Sequence, residues 1–355
     1  MSRLKVPISK PKPDCELFLK CILTDYVPER PRLVEYLVNQ PVMKAVIQIL
    51  DRQWVDYGND IASKSAYWDN FIALWYHLGY DFVRIELAMN FPHPSRPGGD
   101  SGRTYAETAT GAINSWDEFE KYPWPNPKEA DFFPYEYISK NLPDGMGLIV
   151  CHGGGMYEHL SSIMGYETLC MALFDNPDLV EAVSQRVGEL MTEYYKRLLQ
   201  LDKLIAIFPG DDMGFRSATM ISPTHLIQYT LPWHKKFATM THESGLPYFL
   251  HSCGNLNEIM PYLINDVKID ARHSFEDAIM PIAEFKKKWG NKIGVLGGVD
   301  IDKLTRYSPE QLRVYVRKII DDCALGGRFA IGSGNSIPDY IPVENYLTML
   351  DEILQ

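Results

Sequence analysis

Short apolar runs alternate with amphipathic helical stretches along most of the chain. From about residue 80, each mostly apolar run is followed by a polar loop and then by apolar positions at helical spacing. Such runs are typical of strands that are buried on both faces of a parallel sheet. We predict seven of these strands, at residues 81–86, 147–151, 204–208, 247–251, 269–273, 293–296 and 328–331, and an eighth near residue 30.

The predicted helix boundaries between these strands carry recognisable capping residues. Asn176 and Ser222 each precede a proline, which suits the first position of a helix because it has no N–H to leave unpaired. Ser308-Pro-Glu-Gln311 is a capping box with proline at the first helical position. Gly245 closes the helix that begins after Ser222. These signals predict helices that connect successive strands.

This alternation indicates an α/β protein, and we interpret residues 66–355 as a single (β/α)8 TIM-type barrel. Residues 1–65 are predicted to form an N-terminal helical extension, and residues 92–135 a lid-like insertion. The competing architecture is a doubly wound dinucleotide-binding sheet. Its G-x-G-x-x-G fingerprint is missing from the sequence, because His152-Gly-Gly-Gly155 lacks that spacing.

The composition is that of an ordinary globular protein, with 46% hydrophobic and 23% charged residues among 355. The formal net charge of −11 argues against binding to nucleic acid or to an anionic membrane surface, since both are negatively charged. The sequence has no run of about 18 apolar residues and no apolar segment of a secretory signal. Its six cysteines are too irregularly spaced to resemble a disulfide framework, so we expect a cytoplasmic protein.

Polar side chains follow almost every predicted strand. In a (β/α)8 barrel the active site forms at the carboxyl ends of the strands, so these side chains are expected to meet at one mouth. They are Glu35, Glu86, His152 with Glu158, Asp211 with Asp212, His251 with Cys253, His273 with Glu276, Asp300, and Ser333 with Asn335.

The segment His251-Ser-Cys-Gly-Asn255 is the sharpest of these signals. Residues two apart on a strand point to the same side, so His251 and Cys253 are able to face one ligand. Imidazole and thiolate together suit Zn²⁺, which at a catalytic site needs a third protein ligand and an open position. The alternative is a histidine that hydrogen-bonds its neighbours and a cysteine that packs as a small hydrophobe. Candidates for the third ligand are Asp212, Glu158, Glu276 and Ser333.

Two adjacent carboxylates, Asp211 and Asp212, follow the strand predicted at residues 204–208. Adjacent carboxylates repel, so at least one is expected to be solvated, paired or protonated. The functional interpretation is contact with substrate or metal, with Asp212 in contact and Asp211 in support. The alternative is a loop carboxylate that caps the next helix.

A glycine-rich loop, Gly332-Ser-Gly-Asn-Ser336, follows the last predicted strand. Successive backbone N–H groups in such a loop can bind an anion. The alternative is a tight turn that needs glycine for its backbone angles.

Six segments, taken together and in their order along the chain, resemble the uroporphyrinogen decarboxylase superfamily, especially its corrinoid methyltransferase-like branch. The resemblance is strong over the C-terminal half and loose over the N-terminal half, and it implies a (β/α)8 barrel with the active site at its mouth. The segments are Gly210-Asp-Asp-Met-Gly214, Ile221-Ser-Pro223, His251-Ser-Cys-Gly-Asn255, Gly297-Gly-Val-Asp300, Ile331-Gly-Ser-Gly-Asn335 and Tyr340-Ile-Pro-Val-Glu-Asn345.

The superfamily implies at least two chemistries. Its decarboxylases act on a tetrapyrrole without a cofactor and bind the substrate carboxylates through an N-terminal Arg-Gln-Ala-Gly-Arg motif. That motif is absent here. The equivalent stretch, residues 27–36, offers Arg30 and Arg32 at a different spacing. A substrate with eight carboxylates also needs a basic cleft, whereas this chain has 46 acidic and 35 basic residues.

The second implied chemistry is methyl transfer to or from a corrinoid protein docked over the barrel mouth. The resemblance implies a zinc bound by His-x-Cys and by a later cysteine. His251 and Cys253 match the first two ligands, and Ser333 stands where the later cysteine is expected. This replacement favours a small methylated donor, such as a methoxylated or methylamine-like compound, over a thiol acceptor.

We therefore predict a corrinoid-dependent methyltransferase that is assisted by zinc and has a small-molecule methyl donor and a corrinoid protein as partners. Asp212, His251 and Glu276 are its predicted catalytic residues. The predicted metal ligands are His251, Cys253 and Glu158, with Asp212 as the other candidate for the third. A cofactor-free decarboxylase and a non-catalytic binding barrel remain the alternatives, and a homodimer stays open. The predicted substrate-binding residues are Glu35, Glu86, His152, Asp211, His273, Ser333 and Asn335.

Overall fold

The computed structural model describes residues 4–98, 103–106 and 110–355. Eight of the strands in these residues are parallel and fall where the sequence predicts them, and β3 and β4 form an antiparallel hairpin. The strands are β1 (Arg32–Leu33), β2 (Phe82–Ala88), β3 (Ser95–Gly98), β4 (Arg103–Ala106), β5 (Gly147–Gly153), β6 (Leu204–Ile207), β7 (Phe249–His251), β8 (Ala271–His273), β9 (Gly294–Leu296) and β10 (Phe329–Ile331).

The eight parallel strands form a TIM-type (β/α)8 barrel, which confirms the predicted fold. Five of them pair in the order β1-β10-β9-β8-β7 and three in the order β2-β5-β6. Parallel bridges from Ile207 to Tyr248 and from Gly210 to His251 join the two groups. On the other side of the barrel, β1 and β2 are connected through side chains. Arg32 pairs with Asp81, and the Arg84 guanidinium donates to the carbonyl oxygen of Tyr36 over 2.9 Å.

Helices connect the strands and cover the barrel. The described helices are α1 (Cys15–Leu23), α2 (Gln40–Ile49), α3 (Ile61–Leu78), α4 (Trp116–Lys121), α5 (Phe133–Asn141), α6 (Met156–Met164), α7 (Tyr166–Asp175), α8 (Pro177–Leu198), α9 (Pro223–Tyr229), α10 (Leu231–Glu243), α11 (Met260–Tyr262), α12 (Ile282–Trp289), α13 (Ile301–Arg306), α14 (Pro309–Cys323) and α15 (Val343–Ile353). None of these described helices is long and apolar enough to cross a membrane.

The predicted helix starts are confirmed, but one predicted helix is divided into two. Asn176 precedes α8, and Ser222 accepts the backbone N–H of His225 at the start of α9. The helix expected to run to Gly245 breaks at Thr230. Pro232 accounts for the break, because proline has no N–H to donate within a continuing helix.

The N-terminal segment contributes a strand to the barrel. β1 pairs with β10 through the registers Arg32 with Ala330 and Leu33 with Ile331, so part of the predicted extension lies in the sheet. The predicted lid contains the β3–β4 hairpin and α4, while residues 99–102 and 107–109 lie outside the described residues. The boundary near residue 65 and the lid role stay predictions.

Candidate metal centre

Asp212, His251 and Cys253 lie together at the carboxyl end of the barrel. Their potential ligand atoms all lie within 4.8 Å of one another. His251 ends β7, Cys253 follows two residues later, and the bridge from Gly210 to His251 places the Asp212 loop beside them. The His251 Nε2 atom is 3.5 Å from Cys253 Sγ and 3.6 Å from Asp212 Oδ1. The backbone N–H of Cys253 donates to Asp212 Oδ1 over 2.9 Å, which fixes the carboxylate next to the thiol.

This donor set fits a zinc ion. One nitrogen, one sulfur and one carboxylate oxygen are ligand types that Zn²⁺ accepts, and three protein ligands leave a position for a reactant. His251 is 5% exposed, whereas the Asp212 side chain is 44% exposed, so the cluster is open to solvent on its carboxylate side. Because Zn²⁺ is compact and prefers four ligands, such a cluster is better suited to it than to Ca²⁺.

Hydrogen bonds behind His251 fix its tautomer. His273 Nε2 lies 3.0 Å from the carbonyl oxygen of Ser333, which only accepts, so this nitrogen carries the proton. Burial lowers the pKa of His273 to about 3 and that of His251 well below its usual range, so both rings are neutral at pH 7. His273 Nδ1 therefore accepts from His251 Nδ1 across 2.7 Å. The lone pair of His251 is left on Nε2, which faces Asp212 and Cys253.

An aromatic stack also supports His251. The Tyr36 ring lies parallel to the imidazole, with centroids 4.0 Å apart and an interplanar angle of 12°. The fully buried Arg84 guanidinium lies 3.5 Å from the centroid of the Tyr36 ring. The Tyr36 hydroxyl donates to Glu86 Oε2 over 3.0 Å, and Arg84 bonds the same oxygen over 2.5 Å. These contacts hold the Tyr36 ring against the imidazole.

We expect Tyr36→Leu to weaken zinc binding roughly 10-fold, within the 10- to 100-fold range typical of groups that orient a ligand. The leucine side chain cannot stack on His251, so the imidazole is less firmly oriented. Tyr36→Phe keeps the ring and is expected to bind zinc within about 3-fold of the wild type. Competition with a chromophoric chelator measures all three affinities. Equal affinities for the Leu and Phe variants would show that the stack does not support the ligand.

Burial controls the protonation of the Cys253 thiol. Burial and the nearby Asp212 charge raise the pKa of Cys253 well above its usual range, so the thiol is neutral at pH 7 in the absence of a cation. The Asn335 side-chain N–H donates to Cys253 Sγ over 3.2 Å, and the Ser274 hydroxyl lies 3.7 Å from it. These donors favour the thiolate once a metal displaces the proton. Asn335 thus lies at the cluster, and its predicted contact with substrate stays a prediction.

Asp211 lies behind the cluster and is fully buried. Its Oδ2 atom accepts the backbone N–H of Tyr157 over 3.0 Å and the Nε2–H of His234 over 2.8 Å. Its Oδ1 atom accepts the backbone N–H of Glu158 over 3.0 Å. Asp211 therefore caps the N-terminus of α6, an earlier helix in the chain, and not the next helix, α9, as the alternative expected.

The Glu158 side chain also forms a hydrogen bond at the start of α6. Its Oε2 atom accepts the backbone N–H of Gly155 over 2.8 Å, and the carboxyl lies outside the cluster of Asp212, His251 and Cys253. The structure thus brings Asp212, and not Glu158, to the His251–Cys253 pair. Burial and the charges of Asp211 and Asp212 raise the pKa of Glu158 to about 8. A carboxyl group with this pKa is mostly protonated at pH 7 and a poor metal ligand.

Three further predicted substrate-binding residues, Glu35, His152 and Ser333, form hydrogen bonds with other residues of the barrel. His152 Nδ1 lies 2.5 Å from the carbonyl oxygen of Gly154, and its Nε2 lies 3.0 Å from the Tyr195 hydroxyl. The Ser333 hydroxyl donates to Glu35 Oε1 over 2.5 Å. All three side chains are buried, and burial raises the pKa of Glu35 to about 8. Glu35 and Ser333 are thus hydrogen-bonded to each other, and Ser333 lies outside the cluster of Asp212, His251 and Cys253.

Glu276 lies near the cluster but not in it. It lines a cleft of about 600 Å³ with Asp300, Asn335 and Tyr340, and its side chain is partly exposed. Burial, followed by the charges of Asp300 and Asp212, raises the pKa of Glu276. Glu276 therefore takes up a proton more readily than a solvated glutamate does.

Three residues that support the site were not predicted from the sequence. Tyr36 follows the strand predicted near residue 30, and Arg84 lies within the strand predicted at residues 81–86. From the sequence, the tyrosine is expected in the core and the arginine on the surface. His234 lies inside a helix and bonds Asp211, 23 positions earlier in the chain. The only available signal was Arg84 within an otherwise apolar strand, because a charged side chain in a buried strand needs a partner.

Comparison with known proteins places these features in context. The family model described as Uroporphyrinogen decarboxylase (URO-D) matches residues 110–355. A methyltransferase from Methanosarcina mazei has a similar structure, with a TM-score of 0.70 and 14% sequence identity over 96% of this chain and 98% of that one. A proposed vitamin-B12 independent methionine synthase from Listeria monocytogenes has a TM-score of 0.51 and 9% sequence identity. The match covers 92% of this chain and 96% of that one. At these identities the likenesses show the fold. No curated protein matches the chain significantly in sequence.

Proposed function

The chain belongs to the uroporphyrinogen decarboxylase family, and we propose that it is a methyltransferase that moves a methyl group between a small methylated substrate and a corrinoid carried by a partner protein. The observation that carries the proposal is the cluster of Asp212, His251 and Cys253 at the barrel mouth. The structural likeness to a methyltransferase from Methanosarcina mazei agrees with it. A decarboxylase without a cofactor has no need of such a donor set.

Asp212, His251 and Cys253 are the residues that would hold zinc. When bound, the ion would act as a Lewis acid toward a heteroatom of the substrate. His251 offers a lone pair on Nε2 because its other nitrogen is bonded to His273. Asn335 donates to the sulfur of Cys253, and Asp212 forms the exposed side of the cluster. A substrate therefore approaches from the side of Asp212.

Glu276 is the group that we propose to exchange a proton during the reaction. It stands in the cleft beside the cluster, where burial and two neighbouring carboxylates raise its pKa. A methyl donor that leaves as an alcohol or an amine gains a proton, and a protonated carboxyl group supplies one. Among the predicted substrate-binding residues, Glu86 and Asn335 remain the proposed contacts, since the Glu86 side chain is 21% exposed and Asn335 lines the cleft.

The decarboxylase alternative has weaker support. Arg30 and Arg32 are the arginines available to replace the tetrapyrrole-binding motif. Arg32 pairs with Asp81, and Arg30 donates to the carbonyl oxygen of Leu354 over 3.2 Å. The Arg32 guanidinium is thus already paired, and Arg30 precedes β1, at the end of the barrel opposite the mouth. A non-catalytic barrel is tested by the same assay as the decarboxylase.

The decisive assay mixes the zinc-loaded protein with a reduced corrinoid protein and a panel of methyl donors, and follows the corrinoid absorbance. We expect at least one methoxylated or methylamine-like donor to methylate the corrinoid. A parallel reaction offers uroporphyrinogen and is expected to give no coproporphyrinogen. Formation of coproporphyrinogen without a change in the corrinoid spectrum would replace methyl transfer with decarboxylation. No product in either reaction would favour the binding barrel.

A further inference from the structure

The Glu276 side chain has no hydrogen-bond partner among the described residues, although the backbone on both sides of it is held in place. The N–H of Phe275 donates to the carbonyl oxygen of Gly334 over 2.9 Å. The N–H of Asp277 donates to Asp300 Oδ2 over 2.8 Å. The chain between β8 and α12 is thus fixed on either side of a carboxyl group that remains available to a ligand.

Asp277 connects this loop, residues 274–281, to two later helices. Its Oδ2 atom accepts the Tyr315 hydroxyl over 2.9 Å and forms an ion pair with Lys303. The Lys303 ammonium also lies 4.2 Å from the centroid of the Tyr315 ring. Lys303 belongs to α13 and Tyr315 to α14, so one carboxylate ties the loop to both helices. The ion pair is partly buried, and solvent therefore screens it less than a surface pair.

Asp300 forms the second part of this connection. Its Oδ1 atom accepts the backbone N–H groups of Asp302 and Lys303 over 3.0 and 3.2 Å, which caps the start of α13. Its Oδ2 atom accepts the N–H of Asp277. The buried Asp300 carboxylate therefore accepts three N–H donors and joins α13 to the loop. These bonds account for a polar residue that follows β9 and that the proposed reaction does not use.

We propose that Asp277 and Asp300 are positioning residues that keep the Glu276 carboxyl group in the cleft beside the metal cluster. They do so by anchoring its loop to α13 and α14 through Lys303 and Tyr315. The inference rests on the proposed role of Glu276 in proton exchange. A group that transfers a proton must lie within hydrogen-bonding reach of the substrate, so the position of its loop matters to the reaction.

The surroundings of Glu276 give this positioning a measurable signature. Burial, followed by the charges of Asp300 and Asp212, raises the pKa of Glu276. The cations around it are Arg272, which lines a small cavity next to Glu276, and Lys303, in the ion pair with the loop. Release of the loop would expose Glu276 and lower its pKa toward the ordinary value. Loss of a positive charge alone acts in the opposite sense, because a nearby cation favours the ionised carboxylate.

Lys303→Met separates these two effects. Methionine cannot pair with Asp277, so positioning predicts a lower titration midpoint for Glu276, whereas charge alone predicts an equal or higher one. NMR titration of protein labelled with ¹³C at the glutamate side-chain carboxyl carbons measures the midpoint, and Glu276→Gln identifies its signal. Tyr315→Phe removes one hydrogen bond without a change of charge and is expected to lower the midpoint by a smaller amount.

Arg306→Met is the matched control. It removes a cation from the same helix, together with the exposed ion pair to Asp302, and should leave the Glu276 midpoint unchanged. Unfolding curves recorded beside the titrations show whether each variant folds, and Tyr315→Phe decides the question if Lys303→Met does not fold. An unchanged or higher midpoint in a folded Lys303→Met protein would overturn the proposal.

Methyl transfer provides the second measurement. With a donor that reacts in the corrinoid assay, Lys303→Met should lower kcat roughly 10-fold and leave zinc affinity unchanged, since a misplacement of about 1 Å can cost up to 100-fold. A wild-type kcat in this variant would refute the positioning role. The titration requires no methyl transfer, so if no donor reacts, the proposed function fails while the midpoints still decide how the loop holds Glu276.

Discussion

Cys253→Ala is expected to lower zinc affinity by at least about 100-fold and to abolish measurable methyl transfer. Groups that only orient a ligand typically cost 10- to 100-fold in affinity, so loss of a ligand atom should cost at least the upper end of that range. The remaining pair, His251 and Asp212, binds the metal through two atoms and no longer supplies the sulfur. Zinc content after dialysis and competition with a chelator measure the loss.

Cys170→Ala is the matched control for this prediction. Cys170 is also a free cysteine of intermediate exposure, but it lies on α7 and outside the cluster. Its replacement should leave both the zinc content and the transfer rate unchanged. A Cys253→Ala protein that retains one zinc per chain at wild-type affinity would remove the thiol from the metal centre.

The fold could be predicted because its signals are local. Buried parallel strands require short apolar runs on both faces, and each of the eight runs forms a strand. Helix starts were readable for the same reason, since Ser222 and Ser308 satisfy N–H groups only a few positions away. Errors arose where one residue overrides a local pattern. Pro232 divides the helix predicted to run from Ser222 to Gly245.

The candidate site was predictable only in part. His251 and Cys253 are found together because the two-residue period of a strand determines their common side. The third donor depends on a bridge between Gly210 and His251, which joins residues 41 positions apart. Nothing in the local sequence distinguishes Asp212 from Glu158 as the third ligand. The choice follows from tertiary contacts, since the capping bond to Gly155 draws Glu158 away.

The roles of the two adjacent aspartates could not be predicted from the sequence either, because they also depend on tertiary contacts. Asp211 caps a helix that begins 55 positions earlier in the chain, at Met156. Asp212, one residue later, points to the opposite side, where it accepts the backbone N–H of Cys253 and lies near the thiol. Adjacent residues in an extended segment face opposite ways, so one carboxylate is structural and the other chemical. Identical substitutions at the two positions should therefore have different effects.

Asp211→Asn is expected to lower the free energy of unfolding by about 3 kcal/mol, the upper end of what one hydrogen bond to a charged group contributes, because a buried donor is left without its acceptor. The carboxylate accepts three N–H donors, from Tyr157, Glu158 and His234. Asparagine has one acceptor oxygen, so its NH2 group must meet at least one of these donors. Denaturant unfolding of the wild type and the variant measures the difference.

Asp212→Asn should show the opposite pattern. Its carboxylate is 44% exposed and accepts one backbone N–H, so the free energy of unfolding is expected to change by less than about 1 kcal/mol. The amide is a poor ligand for zinc, and we expect the affinity to fall about 100-fold and turnover to fall more than about 10-fold. Zinc competition and the corrinoid assay, run beside the unfolding curves of both variants, distinguish the two roles. If Asp211→Asn removes zinc binding without loss of stability, or if Asp212→Asn unfolds the protein and spares zinc, then the assignment of the two carboxylates is reversed.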